Sequence, residues 1–169
     1  MMASRAIQRL TTLSSRSLRP TWQQAPRTSH PTRTFCVGAR AFEKKYTEDH
    51  EWIEIGSDGK TGTIGISTYA AKALGDVVFV ELPTADLEVS KGETIGAVES
   101  VKSASDILSP VSGRITEANS VLEEKPGTIN ASPEGDGWLA RIELSDVSET
   151  EGLMDSQAYT KFTEEAEEH

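Results

Sequence analysis

Short apolar runs separated by turn residues dominate the middle of the chain. From Trp52 onward apolar and polar residues partly alternate, a predicted turn follows at 56–59, and a second apolar-rich run occupies 61–66. These two runs predict a β-hairpin. Turn signals then recur about every 8–12 residues, which is typical of two packed antiparallel sheets. The pattern predicts a mainly β fold, with further strands at 76–82, 95–98, 107–108 and 138–144.

A few helices are predicted beside the strands. Ser67 is suited to cap a short internal helix over 68–74, because its side chain can accept a hydrogen bond from a free N–H group. Beyond residue 145 the apolar spacing changes, which predicts a short helix capped by Ser148 and a second helix over 157–167. The apolar residues of this C-terminal region that we expect to pack on the sheets are Met154, Tyr159 and Phe162.

The segment 96–113 holds the candidate chemistry. Its apolar arms predict two short strands, and the small and polar residues of 100–104 lie between them with one lysine, Lys102. We therefore expect Lys102 at or near a hairpin tip, held out into solvent rather than folded against a helix. Most turn lysines are merely solvated, so its position alone assigns no function.

The first 40 residues differ in composition from the rest. No acidic residue precedes Glu43, whereas seven arginines and many serines and threonines lie there. Ile7, Leu10 and Leu13 fall on one side of a helical wheel, away from the first arginines. Such a segment is typical of a mitochondrial transit peptide, and it fits a nucleic-acid-binding arm or a secretory signal less well. We predict cleavage near residues 33–36.

The remaining chain is acidic, since the net charge of −10 already includes those arginines. This charge disfavours binding to nucleic acid or anionic membranes and favours partners with basic docking surfaces. Cys36 is the single cysteine, so no disulfide can form within the chain. His50 lacks Cys or His partners at metal-ligand spacing, so it is predicted to pack or cap rather than bind a metal.

The residues around Lys102 resemble a known family. Residues 99–106, Glu-Ser-Val-Lys-Ser-Ala-Ser-Asp, are similar to the lipoate attachment site of the glycine cleavage system H proteins. Further matching blocks lie at 65–67, 74–83, 109–113 and 137–138. The resemblance implies lipoate joined by an amide to Lys102. The supporting turn residues that it implies are Glu99, Ser100, Val101, Ser103 and Asp106.

The same resemblance implies a fold and a domain organisation. The fold is a barrel-sandwich hybrid of two antiparallel sheets, with a short internal helix and C-terminal helices. We expect a cleaved transit peptide at 1–40, a lipoyl-carrier domain at 41–146 and a helical extension at 147–169. Thr128 and Glu134 depart from the apolar and aromatic residues that the family usually has there. They are expected to loosen the wall beside the lipoyl arm.

The function implied by the resemblance is that of a carrier in the mitochondrial matrix, not an enzyme. A pyridoxal-phosphate-dependent glycine decarboxylase would load the aminomethyl group, and a tetrahydrofolate-dependent aminomethyltransferase would remove it. Dihydrolipoamide dehydrogenase would then reoxidise the arm, and a lipoate-attaching enzyme would install it. Two alternatives stay open: a lipoyl or biotinyl domain of another complex, and a lipoyl-relay or regulatory protein. An independent enzyme is disfavoured, because no catalytic motif is recognisable.

Overall fold

The computed structural model describes residues 43–167, which form two antiparallel sheets and several short helices. The strands are β1 Lys44–Tyr46, β2 Glu51–Ile55, β3 Thr61–Ile66, β4 Val77–Glu81, β5 Glu88–Val89, β6 Thr94–Ser100, β7 Ala104–Leu108, β8 Gly113–Ala118 and β9 Ala140–Leu144. The helices are α1 Thr68–Leu74, α2 Val121–Glu124, α3 Thr128–Ala131, a 3₁₀ helix Val147–Gly152 and α4 Ser156–Glu167.

One sheet has six strands in the order β1-β2-β3-β9-β8-β5, and the other has three in the order β4-β6-β7. The predicted β2–β3 hairpin is confirmed, with Ile53 opposite Ile64. The β6–β7 hairpin is confirmed as well, with Val98 opposite Ser105. The prediction of a mainly β fold built from two antiparallel sheets is therefore correct.

The core lies between the two sheets and is almost wholly aliphatic. Along β9, the residues Ala140, Ile142 and Leu144 are buried, while the intervening Arg141 and Glu143 are exposed. Such alternation is what a strand with one solvated face requires. The largest aliphatic side chains that are fully buried are Ile53, Ile64, Ile115, Leu122, Ile129, Leu139 and Ile142. Each contributes roughly 1.5–3 kcal/mol by leaving water.

Helix α1 follows the sequence prediction closely. The Ser67 hydroxyl accepts a hydrogen bond from the Ala70 N–H at 3.1 Å and so caps the first turn. Ala71 and Leu74 form its buried face, and the helix ends at Gly75, where φ is 76°. The helix therefore crosses from the end of β3 to the start of β4.

Several boundaries differ from the predictions. Strand β9 begins at Ala140, not at Trp138, because the Trp138 N–H bonds to the Gly135 carbonyl at 3.3 Å and so belongs to the preceding turn. Trp138 is half-buried and packs beside the aromatic cluster, with the Arg141 guanidinium 4.8 Å from its ring centroid. The 3₁₀ helix is capped by Asp146, whose carboxylate accepts from the Ser148 N–H at 2.9 Å.

The C-terminal helix α4 packs on the six-stranded sheet through an aromatic cluster. Tyr159 is buried and stacks on Tyr46 with 4.3 Å between ring centroids. Met154 and Phe162 pack against the same cluster, as expected. The Tyr159 hydroxyl lies 2.8 Å from His50 Nδ1 and 2.6 Å from Ser67 Oγ. His50 thus packs and bonds within this cluster, as its sequence context predicted.

The predicted transit peptide at 1–40 lies outside the described residues. No helix among residues 43–167 is long and apolar enough to cross a membrane.

Candidate functional site

The β6–β7 hairpin carries Lys102 at the centre of a three-residue connection, 101–103. The Ser100 hydroxyl holds this turn together. It accepts hydrogen bonds from the N–H groups of Lys102 and Ser103, both at 3.1 Å, and it donates to the Ser103 carbonyl at 3.1 Å. The backbone N–H of Ser100 also donates to the Ser103 carbonyl at 2.8 Å. The turn is therefore shorter and more ordered than the five-residue connection predicted from sequence.

The Lys102 side chain is exposed, but it does not point freely into solvent. Its Nζ donates to the carbonyl oxygen of Ala73, in the last turn of α1, at 3.3 Å. The expectation that Lys102 stands away from any helix is therefore wrong. The physical reason is that the last carbonyls of a helix lack backbone partners and carry partial negative charge, which attracts an ammonium group.

The hairpin is fixed to the rest of the molecule at both ends. At the tip, the Val101 N–H donates to the Asp76 carbonyl at 3.1 Å. At the base, the buried carboxylate of Glu51 accepts from the Leu108 N–H at 3.0 Å, and its other oxygen accepts from the Thr47 hydroxyl. Lys102 is thus presented from a rigid support rather than from a loose loop.

The two candidate carboxylates lie on the outward face of the three-stranded sheet. Glu99 is opposite Ala104 and Asp106 is opposite Ala97, so both point away from the buried Val98. Phe79 of β4 is paired with Glu99 and is 53% exposed. Neither carboxylate contacts the Lys102 amine through a hydrogen bond, so neither is placed to remove its proton.

The other supporting residues differ in what they contribute. Val101 acts through its backbone, since its side chain is 70% exposed. Ser103 supplies the N–H and carbonyl groups that Ser100 binds. Ser100 is therefore the one supporting side chain with a direct role in shaping the turn.

Sequence reasoning missed Asn130. Its amide oxygen accepts from the Val77 N–H at 2.9 Å, and its amide nitrogen donates to the Gly75 carbonyl at 2.7 Å. Asn130 thereby braces the corner between α1 and β4, beside Lys102. No local sequence signal points to it, because its partners lie 53 and 55 residues away in the chain.

Glu134 lies at the opposite end of α1 from Lys102. One oxygen accepts from the N–H and hydroxyl of Thr68, each at 3.0 Å, and the other accepts from the Tyr46 hydroxyl at 2.9 Å. Lys44 also pairs with this carboxylate at 3.8 Å. A seven-residue helix is about 10 Å long, so Glu134 is remote from the amine. It fastens α1 at its first turn.

Burial perturbs the titration of the aromatic cluster. It raises the pKa of Tyr46, which also donates to Glu134, and it raises the pKa of Tyr159. It lowers the pKa of His50. Both tyrosines therefore stay protonated, and Tyr46 donates its proton to the hydrogen bond with Glu134. Among residues 43–167, no group of three or more His, Cys, Asp or Glu side chains is arranged to hold a metal.

Comparison with known proteins identifies the family. A family model described as glycine cleavage H-protein matches residues 44–166. The chain belongs to this family. The resemblance inferred from the Glu-Ser-Val-Lys-Ser-Ala-Ser-Asp block is thus confirmed.

The relatives span mitochondria and bacteria. Glycine cleavage system H protein 2, mitochondrial, of Arabidopsis thaliana is 54% identical over 121 residues, which cover 72% of this chain and 76% of the relative. The glycine cleavage system H protein of Thermotoga maritima is 50% identical over 119 residues, covering 70% and 94%. The crystal structure of the Mycobacterium marinum H protein matches with a TM-score of 0.66 and 37% identity, over 73% of this chain and 98% of that one. The predicted barrel-sandwich fold is therefore confirmed.

Proposed function

We propose that this chain is the lipoyl-bearing carrier of the glycine cleavage system, with lipoate attached to Lys102 through an amide. The observation that carries the proposal is the position of Lys102. It is the central residue of a three-residue hairpin tip, within a family block and held by the Ser100 hydroxyl. An exposed primary amine on a rigid turn suits a tether, which needs reach rather than acid-base activity.

Attachment is an acyl transfer at Nζ. The deprotonated amine attacks an activated carboxyl carbon of lipoate, the C–N bond forms, the activating group leaves, and Nζ loses its remaining extra proton. When bound, lipoate would supply a dithiolane whose disulfide is reduced as it takes up the aminomethyl group, and from which the group and the electrons pass to other enzymes. The chain itself supplies position, support and a high local concentration of the arm.

The partners follow from this role. They are the pyridoxal-phosphate-dependent glycine decarboxylase, the tetrahydrofolate-dependent aminomethyltransferase, dihydrolipoamide dehydrogenase and a lipoate-attaching enzyme. The outward carboxylates Glu99 and Asp106, beside the exposed Phe79, support docking by basic surfaces with an apolar centre. The carrier is non-catalytic in this proposal, because these residues position the arm and leave bond making to the partners.

We also propose that the chain works in the mitochondrial matrix. The arginine-rich, acid-free segment 1–40 supports import, and a mitochondrial relative from Arabidopsis thaliana is among the similar proteins. Bacterial relatives match equally well over the folded part, so the N-terminal segment carries this proposal. Import of a fusion of residues 1–40 to a reporter into isolated mitochondria tests it, and loss of import when the arginines are replaced by glutamine is expected.

The test of the carrier role combines mass spectrometry with reconstitution. Protein from a lipoylating host should carry one lipoyl group per chain, located on Lys102. Lys102→Arg should abolish it, whereas Lys125→Arg, a change at another exposed lysine, should not. With the three purified partner enzymes, glycine turnover should require the lipoylated chain. Lipoylation without glycine turnover would instead favour the lipoyl-relay alternative.

A further inference from the structure

The C-terminal end of α1 and the segment that follows form a small receiving surface for the Lys102 side chain. The Ala73 carbonyl accepts from Nζ at 3.3 Å. This carbonyl belongs to the last helical turn, where the backbone dipoles favour a nearby cation. The amine is thus held by an acceptor whose charge and direction suit it.

Gly75 provides the space in which the end of the lysine side chain lies. A Cβ atom at this position would be 2.7 Å from Lys102 Cε and 3.1 Å from Nζ, which is too close for an ordinary contact. The backbone angles of Gly75, φ 76° and ψ −153°, also fall in a region that is nearly restricted to glycine. The backbone conformation therefore requires glycine here, and a Cβ atom would displace the flexible end of the lysine side chain.

Asn130 holds this surface in place relative to the hairpin. Its side chain binds the Gly75 carbonyl at 2.7 Å and the Val77 N–H at 2.9 Å. Between them, the Asp76 carbonyl accepts from the Val101 N–H at 3.1 Å. Each of the three corner residues, 75–77, thus makes a backbone hydrogen bond. Gly75 and Val77 bond to Asn130, and Asp76 bonds to the hairpin tip.

We propose that Asn130 and Gly75 are positioning residues that dock the unmodified Lys102 side chain on the end of α1 and fix the hairpin tip for the lipoate-attaching enzyme. The inference rests on the proposed function. Acylation converts the ammonium group into a neutral amide, which removes its attraction to the helix end. Modification itself therefore releases the arm from this surface.

The main test compares Asn130→Ala with Asn119→Ala in the full chain. Asn119 is a matched control, because its amide also bridges backbone groups, the Asp136 and Trp138 carbonyls at 3.0 and 2.8 Å, but it contacts neither the corner nor the hairpin. It is buried, so its loss should destabilise the fold at least as much.

Two readouts separate positioning from general destabilisation. The first is acylation of Lys102 by a small succinimidyl ester, measured by peptide mass spectrometry against the exposed Lys161 in the same sample. The second is the KM and kcat of the lipoate-attaching enzyme for the unmodified chain. In Asn130→Ala, chemical acylation of Lys102 should rise about two- to fivefold, the effect of losing one exposed charge-assisted contact. The enzymatic KM should rise while kcat changes little.

A second pair of variants addresses the docking contact directly. Gly75→Ala should displace the lysine and raise its chemical acylation. Gly59→Ala serves as its control, because Gly59 also has a positive φ, 68°, but no atom lies within 4 Å of the added Cβ position. If Gly75→Ala is too unstable to purify, a nuclear Overhauser effect between the Lys102 ε protons and the Gly75 α protons in the parent chain decides the matter.

Several outcomes would overturn the inference. These are unchanged acylation and KM in Asn130→Ala, equal changes in Asn119→Ala, and absence of the Lys102–Gly75 proton contact. Failure of the proposed function is a separate result, since the parent chain would then acquire no lipoate on Lys102. The chemical acylation and the proton contact do not depend on lipoate.

Discussion

Replacing Tyr159 by phenylalanine removes one oxygen atom from the contact between α4 and the body of the fold. The Tyr159 hydroxyl lies 2.8 Å from His50 Nδ1 and 2.6 Å from Ser67 Oγ. The ring would keep its stacking on Tyr46, at 4.3 Å between centroids, so the change isolates the polar contacts.

The expected loss follows from those two hydrogen bonds. Each contributes about 0.5–1.5 kcal/mol net, and Ser67 is fully buried, so its hydroxyl would lose a partner that water cannot replace. The free energy of unfolding should therefore fall by about 1–3 kcal/mol. With a urea m-value of about 2 kcal/mol/M, the midpoint should move down by roughly 0.5–1.5 M.

Equilibrium urea unfolding, followed by tryptophan fluorescence, measures this change. Tyr69→Phe is the control, because the Tyr69 ring also packs near His50, at 4.8 Å between centroids, outside the Tyr159 hydroxyl contacts. A loss below about 0.5 kcal/mol in Tyr159→Phe, or an equal loss in Tyr69→Phe, would show that these hydrogen bonds do not stabilise the fold.

The remaining predictions concern pH, recognition and the start of α1. Burial lowers the pKa of His50 below 6.5, against opposing effects of Glu51 and Asp49, so the unfolded chain binds more protons than the native one near that pH. Stability should therefore fall as the pH drops below about 6.5. His50→Asn should flatten that part of the pH–stability profile, because Asn tolerates the φ of 76° and does not titrate. Identical pH–stability profiles for the parent and the variant would contradict this. Glu99→Gln should slow lipoylation more than it slows aminomethyl transfer by chains already modified, and an equal loss in transfer would refute this division. Glu134→Gln should lower the urea-unfolding free energy by about 0.5–2 kcal/mol through the first turn of α1, and no change would show that this carboxylate contributes nothing.

The sequence predicted those features of the fold and site that depend on neighbouring residues. The cap at Ser67, the two hairpins and the tip at Lys102 all arise from local spacing and turn chemistry. Asn130 escaped prediction because its partners are 55 and 53 residues away in the chain. The docking of Lys102 on Ala73 likewise joins positions 29 residues apart.

Glu134 shows the same limit in a different way. As a replacement for an aromatic residue it suggested a weakened wall beside the lipoyl arm. The structure instead places its carboxylate on the Thr68 N–H, the Tyr46 hydroxyl and Lys44. These groups come together only in the folded chain, so the partners of the Glu134 carboxylate could not be predicted from its position in the sequence. We therefore expect Glu134→Tyr to destabilise α1, and the loosened wall expected at Thr128 stays a prediction.

The lengths of the outermost strands of the six-stranded sheet bear on the behaviour of the chain at high concentration. An exposed strand edge offers unpaired backbone groups to a second molecule and is a common start of aggregation. Here the two edge strands are only three and two residues long, and the Tyr46 backbone is bonded to Met154 at 2.8 and 2.9 Å. The six-stranded sheet thus presents little edge on which copies of this chain could associate.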